Sequence, residues 1–127
     1  MSIRMSLHFP NHKESVEEII WSCRDHLMVD QDYGFMGHIV DMSAHRTENK
    51  KIPKRPSVIS RELRSMELVN LKVEGVYGVS NGKLYICRAS EFAKIPDNMG
   101  TSLKNRAILR YLKLIDQESW VIINVSW

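Results

Sequence analysis

Apolar residues recur along this chain with two periods, and the switches between them divide it into candidate elements. In residues 11–29, NHKESVEEIIWSCRDHLMV, Val16, Ile19, Ile20, Cys23 and Leu27 fall at helical spacing. Asn11 with Glu14, or Ser15 with Glu18, makes a capping box at its start. DQDYG ends that first helix. In residues 35–46, FMGHIVDMSAHR, one helical face carries Met36, Ile39, Val40 and Ala44, which predicts a second helix. Pro53 and Pro56 then forbid a helix running through TENKKIPKRP. Pro56 suits a first helical turn, where its missing N–H costs nothing. In RPSVISRELRSMELVN, residues 55–70, steps of four and three join Ile59, Leu63 and Met66 into one stripe, predicting a third helix. Ser57, Ser60, Arg61 and Arg64 lie away from that stripe.

The period then changes to two. Asn81-Gly82 sits between two β-prone runs, a strong hairpin signal. A type I′ turn there pairs Val79 with Leu84, Tyr77 with Ile86 and Gly75 with Arg88. GTSLKNRAILRYLKLI, residues 100–115, predicts a fourth helix capped by Thr101 or Ser102. Leu103, Ala107, Ile108, Tyr111, Leu112 and Ile115 are expected to face inward, and Lys104, Arg106, Arg110 and Lys113 outward. SWVIINVSW, residues 119–127, predicts a strand apolar on both faces. Such a strand is either central in a small sheet or a dimer contact.

Length and composition bound this picture without changing it. A chain of 127 residues suits one domain, and 43% hydrophobic with 26% charged residues is ordinary for a globular protein. Two cysteines, Cys23 and Cys87, are too few for a disulfide scaffold. MSIRMSLHFPNHKES lacks the apolar core of a signal peptide, and no run is long enough to span a membrane, so a soluble, cytoplasmic protein is expected.

Charge does change the picture. The net charge is +3, but residues 46–64 hold seven Lys/Arg against two acids, a local +5. Residues 1–45 hold three against seven. Clustering of this kind points to phosphate more strongly than net charge does.

The order helix, helix, basic turn, amphipathic helix, hairpin resembles the winged helix-turn-helix family over about residues 15–90. The matching pieces are Pro56-Ser57, Val58-Ile59, Ser60-Arg61, Leu63 and Met66, followed by Asn81-Gly82 at a wing tip. The run ISREL also looks like the recognition helix of some transposase N-terminal domains. The resemblance implies an α+β fold, a winged helix-turn-helix core at 15–90 with an added C-terminal helix and strand at 91–127. It implies binding of double-stranded DNA through the third helix and the wing. Arg61 would reach guanine and Glu62 cytosine, with Ser57, Ser60 and Arg64 beside them. Lys50, Lys51, Lys54 and Arg55 would meet phosphates, and Asn81 and Lys83 the neighbouring backbone. A small regulator of transcription, replication or mobility, of viral or mobile-element type, is the expected setting. A homodimer through the C-terminal strand is the expected assembly.

Other constellations carry less. His38, Asp41 and His45 stand at i, i+3 and i+7, and Cys23 and His26 at i, i+3, both reaching for zinc chemistry. Neither matches a strong zinc signature, and surface or partly buried histidines are the expectation. Cys23-His26 lacks a third catalytic group, Asp30 and Asp32 flank a turn, and no phosphate-binding glycine loop precedes a helix. No enzyme, cofactor or metal is expected. The alternative to DNA binding is a protein-interaction module of the same fold that blocks a host factor.

Overall fold

The structure, a computed structural model, describes residues 3–9, 25–43, 52–63, 82–99 and 102–127. Their architecture is α+β, built on a five-stranded antiparallel sheet. In chain order the elements are β1 (Arg4–Phe9), β2 (Asp25–Met28), α1 (Tyr33–Ile39), β3 (Arg61–Glu62), β4 (Gly82–Arg88), a 3-10 helix (Ala89–Lys94), α2 (Leu103–Leu114) and β5 (Trp120–Ser126). The strand order is β2-β1-β5-β4-β3.

The β-branched run Val121, Ile122, Ile123, Val125 is why β5 lies in the middle. All four side chains are buried, Val121, Ile123 and Val125 on one face and Ile122 on the other, as a central strand requires. One rung runs Leu27–Leu7–Ile123–Tyr85–Glu62 across all five strands, and the next runs His26–His8–Ile122–Ile86–Arg61. The face of the first rung carries the main core. Met5, Leu7, Ile123 and Cys87 pack there with Phe35, Met36 and Ile39 of α1, Phe92 of the 3-10 helix, and Ile108, Leu109 and Leu112 of α2. The other face is buried as well, through Leu63, Leu84, Ile86, Ile122, Ser6 and His8.

Several expected elements are revised. The first helix does not extend to Val29, because Asp25–Met28 is a strand. Leu27 sits on a rung with Leu7, and the Val29 N–H donates to the Met5 carbonyl at 2.9 Å. Residues 10–24, the rest of that helix, lie outside the described residues. The second helix forms but stops at Ile39. Asp32 caps it, accepting from the Phe35 N–H, and Val40 leaves in extended conformation.

The third helix is not formed over Pro56–Leu63. The chain bends at Ser57 and Val58, whose N–H groups both donate to the His38 carbonyl, and enters a strand at Arg61. In a helix the Leu63 N–H would return to the Ile59 carbonyl; here it donates to Leu84 at 2.8 Å. Val58 is buried while Ile59 is 72% exposed, so the helical stripe is replaced by alternation. Residues 64–81 lie outside the described residues, and with them Met66, Arg64 and the first wing strand. The expected pairing of Tyr77 with Ile86 is displaced, because Ile86 has Arg61 on one side and Ile122 on the other.

The fourth helix forms with Ser102 as its cap, accepting from the Asn105 N–H at 3.0 Å. The C-terminal strand forms too, as the central strand of the sheet. Both of its edges are paired, one with β1 and the other with β4.

Candidate functional site

The expected DNA-contacting residues are not gathered on a helix. Lys50, Lys51, Arg64 and Asn81 lie outside the described residues. Lys54 and Arg55 are exposed in the segment after Pro53. Ser57 is turned to α1, its Oγ 3.0 Å from His38 Nδ1. Ser60 is half-buried, and Arg61 is exposed on β3. Lys83 is exposed on β4, on the opposite face from Arg61, with Nζ 3.8 Å from Glu62 Oε1. Both members of that pair are half-exposed, so it contributes about 0–1 kcal/mol. What remains of the basic cluster among the described residues is Lys54, Arg55 and Arg61, each exposed.

The metal constellations on helices are also revised. His38 is the penultimate residue of α1, and Asp41 lies beyond its end. The Asp41 carboxylate accepts from the Ser43 N–H at 2.9 Å, which holds its pKa below the usual carboxylate value. His45 and Cys23 lie outside the described residues. Among the described residues no three His, Cys, Asp or Glu side chains gather as a metal site. Cys87 is buried on β4, and burial followed by the charge of Glu91 pushes its thiol up to about 12, which leaves it unreactive.

Helix α2 presents a surface that its sequence did not announce. Its buried face is Asn105, Ile108, Leu109 and Leu112. Asn105 is fully buried and clips the helix to the segment after β2. Its Oδ1 accepts from the Asp30 N–H at 2.8 Å, and its Nδ2 donates to the Asp30 carbonyl at 3.0 Å. That phase turns Leu103, Ala107, Tyr111 and Leu114 outward, although three of them were expected inside. Leu103 is 82% exposed, Leu114 78% and Tyr111 46%. Steps of four, four and three make these residues a second apolar stripe. The sequence signal was a helix with more apolar residues than one face can bury.

Grooves flank this stripe on both sides. One, of about 520 Å³, lies between Leu103, Leu114 and Asp97; the other, of about 530 Å³, lies between Phe9, Leu27 and Lys104. Ala107 and Tyr111 line both, and Tyr111 meets Phe9 edge-on at 5.4 Å. α2 carries Lys104, Arg106, Arg110 and Lys113 and no acidic residue. Lys104 lies 3.8 Å from Asp30, and Lys113 is bound to Asp97 and the Ile95 carbonyl. The Lys113 hydrogen bond and charge, with Arg110 nearby, hold the Asp97 pKa below its ordinary value.

A polar cluster lies on the other face of the sheet. Ser6 Oγ is 2.8 Å from His8 Nε2, and the His8 ring lies 5.5 Å from that of His26 on β2. Burial, then the charge of His26, pushes the His8 pKa down to about 4. Among the described residues, His8 Nδ1 and Asn124 Oδ1 are buried without a hydrogen-bond partner.

Comparison with family models, characterised proteins and solved structures gave no match, so this site stands on the chain's own residues. No described helix is long and apolar enough to cross a membrane.

Proposed function

We propose that the protein is a protein-interaction module that docks the outer stripe of α2 against an amphipathic helix with an acidic flank. The carrying observation is the row Leu103, Tyr111 and Leu114, large apolar side chains held at high exposure on a capped, clipped helix. Contiguous exposed apolar surface of this kind marks interaction sites. A ridge with a groove on each side is what a second helix packs against. Charge selects the partner. A second copy would bring Arg106 and Arg110 against their own counterparts, whereas glutamates beside a leucine stripe would meet them favourably.

The test uses a labelled synthetic helical peptide with leucines at helical spacing and glutamates on its flank. Fluorescence anisotropy should show saturable binding, weakened at least about tenfold by Leu103→Glu plus Leu114→Glu. Binding that the double variant leaves unchanged, or equal binding of a peptide with lysines for glutamates, would overturn the proposal.

A second reading, binding of double-stranded DNA, is favoured by the exposed basic residues Lys54, Arg55 and Arg61. Its mark is affinity that falls with salt, with a log–log slope near −0.9 per phosphate contact. Arg61→Ala with Arg64→Ala should weaken it. Absence of any mobility shift at low salt ends this reading.

A further inference from the structure

His8 and His26 are direct partners on neighbouring antiparallel strands, so their side chains leave the same face of the sheet side by side. Their ring centres are 5.5 Å apart with 25° between the planes. The rings are stacked at a spacing ordinary for packed ring pairs, and the same spacing fits two rings sharing one ion. With metal–nitrogen bonds of about 2.0–2.1 Å at a tetrahedral angle, two imidazole centres fall roughly 5–5.5 Å apart.

His8 carries the second, independent observation. It is 1% exposed, and its Nδ1 has no hydrogen-bond partner among the described residues. A buried ring nitrogen in that state is uncommon and calls for a specific explanation. Ser6 supplies part of it. Ser6 Oγ lies 2.8 Å from Nε2, and when it accepts from Nε2–H the ring takes the tautomer whose Nδ1 bears the free lone pair. A hydrogen bond to the far nitrogen is how metal-binding histidines are oriented. Asn124 lies across from Ser6 on β5, on the same face, and its Oδ1 is also buried without a partner. His26 is exposed and gives the site a path from solvent.

We propose that the rung between β1 and β2 is a binding site for a divalent transition-metal ion of the zinc type, held by His8 Nδ1 and the His26 ring. Imidazole donors suit zinc, copper and nickel and disfavour magnesium and calcium. With two imidazole ligands the site is open, and water completes the coordination. Asn124 Oδ1 is the oxygen donor placed on that face. Its role is to pin the outer strand β2 to β1, and with it the segment that Asn105 clips to α2.

The experiment is calorimetric titration of the full-length protein, stripped with EDTA and desalted, with zinc chloride, followed by thermal melts with and without zinc. The expected result is one equivalent bound at micromolar concentration and a zinc-dependent rise in Tm. His26→Ala, a change at an exposed position, should lower zinc affinity at least about tenfold and remove the Tm rise. Ser6→Ala keeps both ligands and frees the tautomer, and should weaken zinc by about tenfold to a hundredfold. Failure of stoichiometric zinc to bind at micromolar protein overturns the proposal. So does zinc binding that His26→Ala leaves unchanged, because the ion would then reside elsewhere in the chain.

Discussion

Replacing Asn105 by leucine tests whether one buried side chain holds the docking helix in place. The substitution keeps the volume roughly constant, so no cavity is added to the account. It removes the hydrogen bonds between the Asn105 amide and the Asp30 backbone, at 2.8 and 3.0 Å. Each such bond contributes about 0.5–1.5 kcal/mol net, and a donor left buried without a partner costs about 1–3 kcal/mol. The Asp30 backbone is only part-buried, so water recovers some of that cost. The expected loss is about 2–3 kcal/mol. Urea unfolding followed by far-UV circular dichroism should show the midpoint falling by roughly 1–2 M with an unchanged slope. Lys104→Ala is the matched control. It breaks a half-exposed pair with Asp30 one residue away, worth about 0–1 kcal/mol. An Asn105→Leu protein as stable as the Lys104→Ala protein would refute the reasoning.

Acid should destabilise the fold through His8. Its pKa is about 4 when folded and about 6.5 when unfolded, so its contribution is complete above pH 6.5 and is lost as pH falls from there to about 4. The loss approaches about 3 kcal/mol, and His8→Gln should flatten that part of the profile in urea melts run in EDTA. Gly37→Ala should lower Tm by a few degrees despite better helix propensity. An added Cβ would lie 2.9 Å from Pro53 Cδ and 3.1 Å from Ile52 Cγ2, and overpacking of about 1–3 kcal/mol outweighs the roughly 1 kcal/mol of propensity gained. A rise in Tm would show that the 52–53 segment yields freely.

The parts of this fold legible in the sequence are those whose signals are local. Ser102 followed by a twelve-residue run rich in Leu, Lys and Arg marks α2, and VIINV marks β5 with both its faces buried. The phase of α2 was not legible. Leu103, Ala107 and Tyr111 look like core, and nothing local says that Asn105 is buried in their stead. β1 escaped notice because Ser6 and His8 are buried on one face and Met5 and Leu7 on the other, which erases the polar–apolar alternation of a half-exposed strand. The segment before β3 was misread for the opposite reason. Ile59 and Leu63 fit a helical stripe, but amide donation to His38, Glu91 and Leu84 holds the chain out of a helix. Those acceptors are remote in sequence, and tertiary partners override a weak helical signal. The histidine rung was out of reach for the same reason, since His8 and His26 become neighbours only through strand pairing.

The position of β5 sets an order on assembly. Leu7 and Ile123 share a rung although more than a hundred positions separate them in the chain. During synthesis β1 and β4 emerge long before the strand that joins them, and each then offers a bare edge of amides and carbonyls. Long-range closure of this kind is slow, and unpaired edges are where nascent chains stick to one another. The same layout makes the middle of the sheet a slot. A chain severed between α2 and β5 would keep a gap shaped for one strand, and a free peptide of sequence WVIINVS is its complement.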